Sequence, residues 1–157
     1  MLAAEITSLV GGNLGRPVTP IPGAVQLVTA LSATIPLAVA SNSPALVVRS
    51  HLTRIGIAHL FRAIVGIDDV GAPKPAPDPY QLACARLGIA AQHCTAIEDS
   101  QEGITSAAAA GLYVIGIQAP GDCLDADAVY PDLTDPRLLH ALRIRDTAVR
   151  VTRQSPA

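Results

Sequence analysis

Lysine is almost missing from this chain: Lys74 is the only one, against ten arginines. Where a guanidinium serves everywhere else, a single surviving lysine marks a position that asks for a compact ammonium. Aromatic residues are nearly as scarce, with no Trp, one Phe and three Tyr, which leaves few ring faces on which bases could stack. The net charge of −2 gives no basic footprint for phosphodiester backbones, so nucleic acid is not an expected partner. Cysteine is limited to Cys84, Cys94 and Cys123. They form no C-x-x-C and lie in or beside apolar segments, so they read as buried reduced thiols rather than disulfides or zinc ligands. No apolar run approaches a membrane span, and the opening Met1-Leu2-Ala3-Ala4-Glu5 lacks the basic region and apolar stretch of a secretion signal. No membrane partner is expected, and a reducing cytoplasm is the predicted location.

What is present fits one globular α/β domain. The 157 residues are 50% apolar and 15% charged, enough to bury a single core. Strand-like and helix-like segments alternate. Leu2, Ile6, Leu9 and Val10 have helical spacing before Gly11-Gly12-Asn13 breaks it, and the proline-containing segment from Arg16 to Gly23 reads as a linker. A helix bearing Val25, Leu27, Val28 and Leu31 follows, then a strand centred on Leu37 to Ala40, since Pro36 is tolerable only at its start. Further strands are predicted around Arg62 to Ile67, at Cys94 to Glu98 and at Leu112 to Ile117. Ala126 to Tyr130 reads as a small edge strand and Pro136 to Leu142 as a last helix. The segment 143–157 is basic and lightly patterned, a frayed tail. No internal repeat is found.

Three strand ends carry chemistry. Thr95-Ala96-Ile97-Glu98-Asp99-Ser100 passes from an apolar strand into two adjacent carboxylates, with Ser100 as the cap of a helix that stops at Gly111. Ligands of open α/β sheets bind at this edge, and two hard oxygen donors there suit Mg²⁺, although an acidic turn in water is the equal alternative. At Ser41-Asn42-Ser43-Pro44 the predicted cap is Ser43, with Pro44 as the first helical residue. Free N–H groups there would hold a phosphate, Ser41 adding a hydroxyl and Asn42 an amide; a plain cap is the competing reading. Prolines on both sides fix the backbone around Lys74, which reads as a positioned charge or as a polyproline spacer. Asp78 and Pro79 then cap a helix that ends near Gly88. Arg49, His51, His59, His93 and His140 read as surface or capping residues, and no His pair has metal-ligand spacing.

Alternating strands and helices imply a doubly wound parallel sheet with right-handed crossovers. The order Ser41, Lys74, Glu98-Asp99 resembles the haloacid dehalogenase (HAD) superfamily, in its phosphoglycolate phosphatase and beta-phosphoglucomutase branch. The resemblance rests on Pro22-Gly23, Val39-Ala40-Ser41-Asn42-Ser43, Lys74-Pro75-Ala76-Pro77-Asp78 and Ile97-Glu98-Asp99-Ser100, and covers Ile21 to Ile117. It implies a HAD-like Rossmannoid core over 21–142, preceded in 1–20 by a remnant of the helical cap and a linker. It further implies a Mg²⁺-dependent phosphate-ester hydrolase or phosphomutase acting on a small phosphorylated metabolite. Ser41 and Asn42 would contact the phosphoryl group, Lys74 would neutralise charge on it, and Glu98 with Asp99 would hold Mg²⁺.

The chain departs from this family in one large respect. The family's nucleophile and its acid/base partner are the two aspartates of an Asp-x-Asp-Gly motif that closes the first strand, and this sequence has no such motif. Asp125-Ala126-Asp127 follows no buried strand and reads as surface loop, and Asp68-Asp69 is a poor substitute. The expectation is therefore a carboxyl-terminal portion that is inactive alone, lacking its central strand and most of the cap. The missing strand would leave unpaired backbone that another chain could complete. The alternative is a non-catalytic phosphate- and metal-binding or interaction module derived from the same fold.

Overall fold

The computed structural model describes residues 2–4, 10–11, 19–118 and 123–142. Its main element is a six-stranded sheet of β1 (Leu2–Ala4), β4 (Leu37–Ala40), β5 (Phe61–Val65), β6 (Thr95–Glu98), β7 (Tyr113–Ile117) and β8 (Ala128–Tyr130). The spatial order is β5-β4-β1-β6-β7-β8, and every pairing is parallel. A separate antiparallel pair joins β2 (Val10–Gly11) to β3 (Thr19–Pro20). The helices are α1 (Ala24–Ser32), α2 (Ala45–Arg54), α3 (Asp78–Leu87) and α4 (Gln101–Ala109), and residues 136–142 are also helical.

Strand alternation sends the side chains to two cores. Leu37 and Val39 face one side, with Ile97, Ile115, Leu27, Leu31, Leu52 and Leu138. Ala38 and Ala40 face the other, with Ala63, Ala96, Ala83, Ala107 and Tyr80. The side covered by α3 and α4 is lined largely by alanine. Small side chains let these helices approach the sheet closely, and both helices border the strand ends that carry the polar motifs.

Two expectations change at the amino end. The helical spacing at Leu2 to Val10 does not produce a helix over the described residues: 2–4 and 10–11 are strands. A short unpacked helix is marginal in water, whereas extended backbone between two open strands satisfies donors and acceptors on both sides. The family's aspartate-bearing first strand is missing from the sequence, but its place in mid-sheet is not left unpaired. Leu2 and Ala3 stand opposite Leu37 and Ala38, and Leu2, Ala3 and Ala4 opposite Thr95, Ala96 and Ile97. The position between β4 and β6 is therefore occupied by residues of this chain. The predicted tail at 143–157 lies outside the described residues.

Elsewhere the elements fall close to their predicted places. Gly88 and Gly111, the predicted helix stops, have φ of +69° and +84°, left-handed values that glycine adopts without strain. One cap differs. Pro44, not Ser43, is the N-cap of α2, and no side chain of the turn itself caps it. The Ala45 N–H instead donates to Asp68 Oδ1 at 2.8 Å.

Candidate functional site

In a parallel sheet all strands end at the same edge, so β4 and β6 deliver the residues after them to one side of the sheet. Chain order reverses across β1, with β4 on one side and β6 on the other, and this is where open α/β sheets bind ligands.

Ser41 follows β4 and is fully buried. Its N–H donates to Val65 O at 3.0 Å, which fixes the turn to β5, and its Oγ accepts the Ser43 N–H at 2.9 Å. A hydroxyl also carries one proton to give. Asn42 reaches the lysine loop: its Oδ1 accepts the Lys74 N–H at 2.9 Å and its Nδ2 donates to Lys74 O at 3.2 Å. One amide thus holds both backbone groups of the chain's only lysine. A second tie comes from α4, where the buried Ser106 Oγ donates to Ala76 O at 2.5 Å.

So held, the Lys74 side chain runs inward. Its Nζ donates to Glu98 Oε1 at 2.6 Å, and the two side chains are 3% and 0% exposed, which makes this a desolvated ion pair. Tyr80, fully buried on α3, joins it. The phenol donates to Glu98 Oε1, stands 3.3 Å from Lys74 Nζ, and places its ring centre 4.7 Å from the ammonium, within cation–π range. Burial pushes the Lys74 ammonium down from its usual range, opposed by the charge and hydrogen bond of Glu98 and by the charge of Asp99. Burial and the same carboxylates push the Tyr80 phenol well up, so it stays a donor.

The two carboxylates assigned to a metal occupy different surroundings. Glu98 is 2% exposed, with one oxygen on Lys74 and Tyr80 and the other 3.5 Å from Ser100 Oγ. Gly103 is pressed against it, since a Cβ there would lie 2.0 Å from Glu98 Oε2. Asp99, just past β6, is exposed. Ser100 caps α4 as predicted, accepting the Gly103 N–H at 3.1 Å. Among the described residues no cluster of three or more His, Cys, Asp or Glu is placed to hold a metal ion. Mg²⁺ takes one or two carboxylates and fills the remaining positions with water and phosphate oxygens, and the exposed carboxylate of Asp99 suits that habit.

The predicted residues thus share one edge, with Asn42, Lys74 and Glu98 in direct contact, Ser41 beside Asn42, and Asp99 beside Glu98. The predicted phosphate cradle at α2 is partly taken, because Asp68 holds the first N–H of that helix. Asp69 accepts the Gly66 N–H at 2.9 Å and pairs with Arg86 at 2.7 Å. Asp127 accepts the Val114 N–H at 2.7 Å. These aspartates brace the fold. His51, read as a surface or capping residue, is buried instead. Sequence reasoning missed Tyr80, whose only signal is a lone aromatic among the small residues of α3, and it missed Asp68, which has none.

The architecture and site define a class: a doubly wound α/β domain with buried polar and charged side chains gathered at its switch point. The profile of the haloacid dehalogenase-like hydrolases matches residues 8–117, well over half the chain, and the chain belongs to that family. Among curated proteins it is 34% identical over 117 residues to fructose-1-phosphate phosphatase YqaB of Escherichia coli K12, covering 74% of this chain and 62% of the relative. It is 36% identical over 114 residues to the phosphoglycolate phosphatase of the same organism, covering 69% and 44%. The chain thus spans only about half to three fifths of the length of these relatives. Among solved structures, a predicted phosphoglycolate phosphatase from Haemophilus somnus superposes with a TM-score of 0.72 at 29% identity, covering 84% of this chain and 60% of that one. A beta-phosphoglucomutase from Thermotoga maritima gives 0.72 at 24% identity, covering 82% and 62%, and speaks for the fold alone. No helix among the described residues is long and apolar enough to cross a membrane.

Proposed function

We propose that this chain forms the phosphate- and cation-holding side of a Mg²⁺-dependent phosphate-ester hydrolase or phosphomutase whose substrate is a small phosphorylated metabolite. The observation that carries the reading is the Asn42 clamp on the Lys74 backbone at 2.9 and 3.2 Å. It spends a side chain on fixing where a single ammonium sits. An ammonium at the carboxyl edge of β4 and β6 neutralises an anion brought to Ser41 and Asn42, and Glu98 holds it there. Mg²⁺ would be held by Asp99 with water completing its shell. When bound, it would draw charge from a phosphoryl oxygen. Glu98, called a metal ligand from sequence, is better read as the counter-ion that orients Lys74. Phosphatases among the relatives support the substrate class.

No residue described at this edge is a nucleophile with a base beside it, and the sequence contains no Asp-x-Asp-Gly. The chain by itself should therefore not turn over phosphate esters. The test compares it with a form extended upstream to the length of its relatives, using an aryl phosphate with and without Mg²⁺. Turnover in the long form only, dependent on Mg²⁺ and reduced about 100-fold or more by Lys74→Ala, is the expected result. Turnover by the chain as it stands would overturn the predicted inactivity, and none in either form would overturn the hydrolase reading.

A second reading, a non-catalytic binding module, is favoured by the closed central position of the sheet. Calorimetry on the chain as it stands, with Mg²⁺ and inorganic phosphate, tests it. Saturable binding of both supports the module, and heat of dilution alone rejects it.

A further inference from the structure

We propose that Cys84 and Cys94 form an oxidisable dithiol, a site at which the folded chain takes up one intramolecular disulfide from a peroxide. The two thiols come from different elements, Cys84 from the last turns of α3 and Cys94 from the residue before β6. Their sulfurs lie 3.3 Å apart, and both are free and buried, at 4% and 1% exposure. They need to close by roughly 1.3 Å to reach bonding distance. The backbone around them is held: Ile89 N–H donates to Cys84 O at 3.1 Å, Cys94 N–H to Ala91 O at 2.8 Å, and Tyr113 N–H to Cys94 O at 3.1 Å. The turn between the two residues therefore keeps the pair together without any bond between them. Zinc is a poorer reading of two neighbouring thiols, because no third His, Cys, Asp or Glu joins them among the described residues.

The pair is asymmetric. A thiolate at Cys84 accepts the Cys94 S–H, which lowers the Cys84 thiol from its ordinary value and raises that of Cys94. In the neutral pair Cys84 Sγ donates to Cys94 Sγ, and the Cys94 S–H donates to Ala90 O at 3.3 Å. Cys84 is thus the attacking sulfur. Its thiolate displaces hydroxide from hydrogen peroxide to give a sulfenic acid, and the hydroxide takes up a proton to become water. Cys94, losing its proton, then attacks the sulfenic sulfur and expels a second water. In sum, two thiols and one peroxide give one disulfide and two waters. The bond would tie α3, which leaves the Lys74 loop and carries Tyr80, to the strand that carries Glu98. Nothing in this inference depends on the hydrolase reading.

Peroxide treatment of the folded chain, followed by alkylation and tryptic mapping, tests it. Cleavage after Arg86 separates Cys84 from Cys94, so the disulfide joins peptides 63–86 and 87–137 with the loss of two hydrogens, and reductant parts them. Cys123 is exposed and shares the second peptide, so the same experiment is run on Cys123→Ser. The link should form at least 10-fold faster in the folded chain than in urea, where proximity is lost. Cys84→Ser and Cys94→Ser should each abolish it. Should Cys123→Ser fail to fold, a further proteolytic cut between Cys94 and Cys123 in the wild-type peptide locates the bridge. Both thiols recovered alkylated after peroxide, or a link that forms no faster folded than in urea, would overturn the proposal.

Discussion

Lys74 and Glu98 are each other's reason for being buried. Desolvating either charge alone is expensive, and at 2.6 Å each supplies what the other lost on leaving water. Replacing one partner should therefore hurt more than replacing both. Lys74→Met alone is expected to destabilise the chain by about 3–5 kcal/mol, leaving a carboxylate enclosed beside Tyr80, while Lys74→Met with Glu98→Leu should recover most of that loss. Urea unfolding of the two variants checks it, and a double variant no more stable than the single one contradicts it. Gly103 gives a second test. The 2.0 Å approach of its missing Cβ to Glu98 Oε2 leaves no room for alanine, and the carboxylate, held by Lys74 and Tyr80, cannot easily retreat. Gly103→Ala should cost on the order of 1–3 kcal/mol by the same measurement, although alanine is the better helix former.

At the level of elements, the start of α2 and the end of β5 are joined through Asp68 and Asp69. Asp68 does for α2 what its own turn does not, so Asp68→Ala should cost about 1 kcal/mol and speed hydrogen exchange at the Ala45 amide. Asp69 sits between the Gly66 N–H and Arg86, whose guanidinium also donates to Ile64 O at 2.7 Å. The hydrogen bond from Arg86, followed by that from Gly66, holds the Asp69 carboxyl below its ordinary range. Its folded pKa is thus below the unfolded one, and the unfolded chain binds the extra proton between the two. The contribution is complete above the usual aspartate range near 3.8 and disappears as pH falls through the folded value. Asp69→Asn should then be less stable than the parent at pH 7, with the difference shrinking toward pH 3 in parallel urea titrations.

For the molecule as a whole, the question is what closes the sheet. Leu2–Ala4 is paired on both sides, with β4 and β6, and these are the strands that lead into Ser41 and that end in Glu98. Three residues in mid-sheet therefore unite the two halves of the sheet. Deleting residues 1–4 should expose backbone groups on both neighbours and raise exchange rates at amides of Leu37 to Ala40 and Thr95 to Glu98 together. Protection left unchanged after the deletion would show that the halves cohere without it.

The sequence by itself determined the strands at Leu37–Ala40 and Thr95–Glu98, the Ser100 cap, the stops at Gly88 and Gly111, and the convergence of Ser41, Asn42, Lys74, Glu98 and Asp99 on one edge. Each depends on a few neighbouring residues, or on the rule that parallel strands all end on the same side. Only the tertiary structure decided which segment lies in mid-sheet, that Asp68 caps α2, that Tyr80 shares the Glu98 carboxylate, and that two cysteines meet. In those cases the partner is distant in the chain. A buried donor or acceptor takes whatever group the packed fold brings within reach, and no local pattern of residues encodes that choice.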